Sequence, residues 1–119
     1  FDDECLNLAT NLLVSPGVTL NRSGIYIWRV RGVGSYVGKY THMSRPLSDY
    51  NRNVVRLLRG QAYRPNNPDG FRRIHRALAG AVGDKSAIAL EIVENCDSDQ
   101  LNEREAHYIG TESSGGLNG

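Results

Sequence analysis

The stretch that most restricts how this chain can fold runs from Ser23 to Lys39. Two short apolar runs, Ile25 to Val30 and Ser35 to Gly38, flank Arg31-Gly32-Val33-Gly34, which has the composition of a tight turn. Glycines at such a connector allow the backbone angles that reverse a strand, so the stretch predicts a β-hairpin. Tyr26 and Tyr36 fall one on each strand. Taken alone they are an ordinary cross-strand aromatic pair; two phenols brought close are equally a place for chemistry to begin.

The rest of the chain divides around this hairpin. Asp2 to Leu13 carries apolar residues at 5, 6, 9, 12 and 13 with acids at its start, a helical spacing that Ser15-Pro16-Gly17 ends. After Lys39 and a short loop containing His42, Arg45 to Arg59 reads as a helix with Pro46 in its first turn. Leu47, Tyr50, Val54, Leu57 and Leu58 share its apolar face, and Arg45, Arg52, Arg56 and Arg59 form a stripe on the other. Gln61 to Gly70 is a turn-rich loop. Phe71 to about Val82 is a second helix, with Phe71, Ile74, Leu78 and Val82 inward, Arg72, Arg73 and Arg76 outward, and Gly83 as its terminator. Ser86 to Val93 is a strand apolar enough to lie between two neighbours. These elements predict one α+β domain with a small central three-stranded antiparallel sheet flanked by helices. Residues 1–22 form an N-terminal helical extension and 23–119 the core.

Charge is distributed unevenly under a net value of +1. From Arg45 to Arg76 there are eight arginines against Asp49 and Asp69, whereas the chain from Asp84 onward holds eight acids against Lys85 and Arg104. A basic block of this kind suits a polyanion, nucleic acid being the commonest. The same arginines also suit a solvated face or pairing with the acidic third.

Asp97, with Gln100 three residues on, has the pattern of a capping box opening a last helix. Leu101, Glu105, Tyr108 and Ile109 share one face of it, which puts the Glu105 carboxylate on the apolar side. A carboxylate so placed calls for a cation, an arginine or a metal ion.

Five elements in order now carry a resemblance: Gly24-Ile25-Tyr26, Tyr36-Val37-Gly38, Arg45 at the opening of a helix, Glu105 within Arg104-Glu105-Ala106-His107-Tyr108-Ile109, and Asn118 in Gly116-Leu117-Asn118-Gly119. Together they resemble the GIY-YIG nuclease superfamily. The resemblance implies a metal-dependent endonuclease that hydrolyses DNA phosphodiesters. Glu105 would hold one Mg²⁺ (or Mn²⁺), Tyr26 would act as general base, Tyr36 would orient the water or a phosphate oxygen, and Arg45, or Arg52 in its place, would grip the scissile phosphate. Lys39 and His42 match positions used beside the tyrosines in part of the family, and Asn118 would brace the site. The valine in Tyr36-Val37-Gly38 departs conservatively from the family's isoleucine. Arg45 stands about one residue closer to Tyr36 than the common pattern. Arg52, Arg56, Arg59, Arg72, Arg73 and Arg76 are the candidate DNA contacts, and the Gln61 to Gly70 loop resembles an inserted, DNA-contacting segment. A fold of this kind that binds nucleic acid without cutting it is the alternative, and a basic protein-interaction domain a third reading.

His75 and His107 read as structural or solvated, and Trp28 as core or as a wall of the site. Cys5 and Cys96 lack ligand spacing and read as reduced, small apolar residues, which with no apolar run long enough to span a bilayer suits an intracellular (cytoplasmic or nucleoid-associated) protein that is neither secreted nor membrane-bound. Dimerisation would let two such sites cut two strands.

Overall fold

A computed structural model describes residues 11–42, 45–111 and Leu117, without the side chains of Arg45 and Pro46. The hairpin forms as expected from its sequence. Strand β2 (Gly24–Val30) pairs antiparallel with β3 (Gly34–Tyr40), with Tyr26 opposite Gly38 and Trp28 opposite Tyr36. Gly32 takes a left-handed φ of 76° in the turn, and the Val33 N–H donates to the Val30 carbonyl.

The sheet has four strands rather than three. Strand β4 (Ile88–Asn95) lies antiparallel to β2, and β1 (Leu12–Val14) pairs parallel with the other side of β4, giving the order β1-β4-β2-β3. The expected helix over Asp2 to Leu13, and with it the helical extension over 1–22, is therefore overturned at its end: Leu12 and Leu13 are in a strand. Their apolar spacing fits either period over so short a run, and the open edge of β4 decides it. The first ten residues of that expectation lie outside the described residues. β4 does lie between two neighbours, which accounts for its apolar run.

Helices cover both faces. A π-helical turn, Arg45–Asp49, leads into α1 (Tyr50–Leu58), and α2 is Arg73–Asp84. These two pack on one face against Tyr26, Trp28, Val30, Tyr40, Leu90 and Ile92. Helix α3 (Leu101–Thr111) packs on the other, where Leu101, Tyr108 and Ile109 meet Ile25, Ile27 and Val37. Alternation along β2 and β3 makes this division: residues two apart share a face. Leu117 returns to the edge strand, donating its N–H to the Ser35 carbonyl and burying its side chain in the α1/α2 core.

Two helix ends differ from expectation. α2 runs past Gly83 and stops at Lys85, which takes a left-handed φ of 57°. The Asp97 side chain makes no capping bond; the Gln100 N–H goes instead to the Asp97 carbonyl, and the carboxylate faces Arg22 at 3.7 Å. No helix among the described residues is long and apolar enough to cross a membrane.

Candidate functional site

The two motif glycines have structural causes. A Cβ at Gly38 would lie 2.2 Å from Cζ of Tyr26, because the Tyr26 ring crosses over the Gly38 backbone. At Gly24 a Cβ would lie 2.1 Å from the Glu94 carbonyl oxygen, beside the irregularity in β2–β4 pairing between Ile25 and Tyr26. Each glycine thus permits a close approach that any side chain would block.

Tyr26 is buried, and its hydroxyl meets that of Tyr50 on α1 at 2.7 Å. Arg72, immediately before α2, donates through Nη1 to the Tyr36 hydroxyl at 2.8 Å and through Nη2 to the Tyr50 hydroxyl at 3.4 Å. The result is a continuous polar chain, Tyr26–Tyr50–Arg72–Tyr36, in which one guanidinium fork spans two phenols. Burial, then the oxygens of Tyr26 and Tyr36, push the Tyr50 pKa far up, so Tyr50 stays a neutral hydroxyl. Burial works against the charge of Arg72, but the oxygens of Tyr50, Tyr36 and Tyr26 outweigh it and raise its pKa. Trp28 is core: fully buried, with its ring 5.4 Å from that of Tyr50.

This chain of groups opens on a cationic pocket of about 150 Å³ lined by Asp49, Arg52, Asn53, Arg56, Tyr63, Arg64, Arg72 and His75. α1 contributes Arg52 and Arg56 from the predicted stripe, the Gln61 to Gly70 loop contributes Tyr63 and Arg64, and α2 contributes His75. Arg64 lies over the Tyr63 ring, 4.2 Å from its centroid, and Arg52 reaches Asp49 at 3.5 Å. Two shallower depressions continue the surface past Arg52 and Arg56, one toward Pro65 and one toward Arg59 and Gln61. Arg73 and Arg76 are exposed on α2.

His75 is structural, 1% exposed, and accepts the Arg72 backbone N–H at Nδ1. Burial first, then the charges of Arg72 and Arg64, lower its pKa from 6.5 to about 4. The unfolded chain therefore takes up this proton at a higher pH than the fold does. Stability from a neutral His75 is complete above pH 6.5 and drains as pH falls toward 4. The expected loss between about pH 7 and pH 5 is about 2 kcal/mol. Urea midpoints at the two pH values check it: in His75→Gln the loss should shrink, and an equal loss would acquit His75.

Other expected site residues fall elsewhere. Lys39 points to the α3 face, where Nζ meets Oδ1 of Asn102, so it does not stand beside Tyr26 and Tyr36. Glu105 is on α3, the helix on the sheet face opposite the tyrosines, and is half-buried rather than inward. Among the described residues it has no hydrogen-bond or ion-pair partner. The carboxylate that α3 does hold is Glu94 of β4, bound by Arg104 through Nε at 2.6 Å and Nη2 at 2.7 Å and by the Tyr108 hydroxyl, with its pKa lowered chiefly by Arg104. His42 is exposed just after β3, and His107 is exposed on α3. The backbone of Arg45 opens the π-helical turn. The Arg45 side chain and Asn118 lie outside the described residues. Cys96 is a free, buried thiol.

Sequence reasoning missed Tyr50, Asn53 and the specific role of Arg72. The one available signal was Tyr50 itself, a phenol on the apolar face of a helix, which when buried needs a polar partner. Comparison with protein-family models, curated proteins and solved structures returns no match. No cluster of three or more His, Cys, Asp or Glu forms among the described residues.

Proposed function

We propose that this protein is a DNA endonuclease of the GIY-YIG kind, engaging phosphates through the α1/α2 face. The observation that carries this reading is the Tyr26–Tyr50–Arg72–Tyr36 chain opening on the arginine pocket. Arg72 presents a fork suited to a phosphate oxygen, and binding there would stabilise charge that builds on phosphorus during hydrolysis. Tyr36, the less buried phenol, would orient the water or a phosphate oxygen. Tyr26, buried behind it, would act through Tyr50. Arg52, Arg56, Arg59, Arg73 and Arg76 would contact flanking phosphates, whose binding weakens as salt rises. An intracellular setting goes with such a substrate.

The resemblance also implies Mg²⁺ (or Mn²⁺) at Glu105. The donor chemistry fits: Glu91 and Glu94 are taken by Arg29 and Arg104, whereas Glu105 is half-exposed and has no such partner among the described residues. When bound, the ion would supply an activated water and neutralise phosphate charge on the α3 side of the sheet, the face away from Arg72.

A second reading, a nucleic-acid-binding module without cleavage, is favoured by one observation: α3 packs on the face away from Tyr26. Nicking of supercoiled plasmid in Mg²⁺ separates the two. Glu105→Ala and Tyr26→Phe should each lower nicking by about 100-fold or more while leaving DNA binding intact. Wild-type protein that binds DNA yet makes no nicks in Mg²⁺ or Mn²⁺ would leave the second reading standing.

A further inference from the structure

The pocket beside Tyr50 holds more positive charge than one backbone phosphodiester needs. Arg52, Arg56, Arg64 and Arg72 line it, with Asp49 the only acid among the described residues of its wall. It lies at the N-terminal end of α2, where the helix dipole favours anions. His75 contributes no charge, being neutral above about pH 4. Four guanidiniums against one carboxylate match a group carrying two negative charges better than a diester carrying one.

The inner wall adds a second, independent sign. Asn53 is more than nine-tenths buried, lines the pocket, and leaves its Oδ1 without a hydrogen-bond partner. A buried acceptor left unsatisfied costs roughly 1–3 kcal/mol, a cost that a donor group of a ligand would remove. A phosphate monoester, its second pKa lying near 6, carries the second negative charge that a diester lacks. Walls on three sides, from α1, the 61–70 loop and the start of α2, also suit a group that enters by one ester bond, since a diester must leave by a second.

We infer that this pocket binds a phosphate monoester, gripped by Arg56, Arg64 and Arg72, with Asn53 and Tyr50 at its inner wall. The chemistry is shared by two sources, the phosphorylated end of a nucleic-acid strand and a free nucleoside monophosphate. The strand-end source rests on the nucleic-acid reading above; the nucleotide source does not.

The test measures binding to the intact protein at fixed ionic strength. The probes are a fluorescent single-stranded oligonucleotide with a 5′-phosphate, a 3′-phosphate or hydroxyl ends, and AMP as competitor. A terminal phosphate at one end should tighten binding by about tenfold or more, and AMP should remove that increment. Arg64→Gln, on an exposed loop side chain, should abolish the increment without unfolding the protein. Asn53→Asp, which replaces the acceptor amide by an anion, should do the same if it folds. Equal affinity for all three oligonucleotides, together with no AMP binding, would overturn the pocket and leave the nucleic-acid reading intact. AMP binding that Arg64→Gln removes, with no oligonucleotide binding, would uphold the pocket and overturn the nucleic-acid reading.

Discussion

Gly24→Ala should cost about 3 kcal/mol or more, among the largest effects of any small substitution in this chain. The new methyl would lie 2.1 Å from a backbone carbonyl, that of Glu94, and a backbone cannot swing away as a side chain can. The central strand pair β2–β4 would have to part where its register already shifts. Gly38→Ala meets the Tyr26 ring instead, a side chain locked between Tyr40 and Tyr50. It should cost less stability, about 1–2 kcal/mol, but should break the Tyr26–Tyr50 contact and with it the function. Chemical denaturation of both variants, alongside Gly80→Ala, where nothing beyond the neighbouring backbone of its own helix lies within 4 Å of the added carbon, measures the difference. Equal stability of Gly24→Ala and Gly80→Ala would show that the close approach is not there.

Arg72→Ala should lower plasmid nicking by about 100-fold or more, an effect of the size seen when one preorganised donor to a developing charge is removed. Arg72→Lys should recover little, because an ammonium cannot span the hydroxyls of Tyr36 and Tyr50 together. Arg73→Ala is the internal control: it removes the same charge one residue away, from an exposed side chain. If Arg72 and Arg73 variants behave alike, the arginine matters only as part of a basic surface. The comparison with Arg45→Ala and Arg52→Ala then asks which arginine grips the scissile phosphate. Arg72 has the hydrogen bonds to the tyrosines; Arg52 shares its charge with Asp49.

The hairpin was legible because turn residues and strand residues are local signals, and so were the faces of α1 and α2. The strand at Leu12–Val14 was not, since its partner Leu90 to Ile92 lies far along the chain. The family resemblance pointed to Arg45, at the start of the next helix, despite a spacing from Tyr36 about one residue short. Arg72 reaches the tyrosines because α2 packs beside α1 on one sheet face, a relation that distance in sequence does not express. Helical phase put Glu105 with Leu101 and Tyr108, which holds for the helix. Phase could not say which face of the sheet the helix covers, nor that Arg104 would turn to Glu94 on β4. His75 read as structural or solvated, and burial against Arg72 settles it as structural.

The return of the chain at Leu117 has a colloidal consequence. β3 is an outermost strand, and such strands invite pairing with other molecules through their open backbone groups. Here the Leu117 amide occupies the Ser35 carbonyl, and the leucine side chain anchors that stopper in the core. On the opposite margin, β1 is only three residues long and runs into Ser15 and Pro16. Both margins of the sheet are thereby blunted against cross-β self-association.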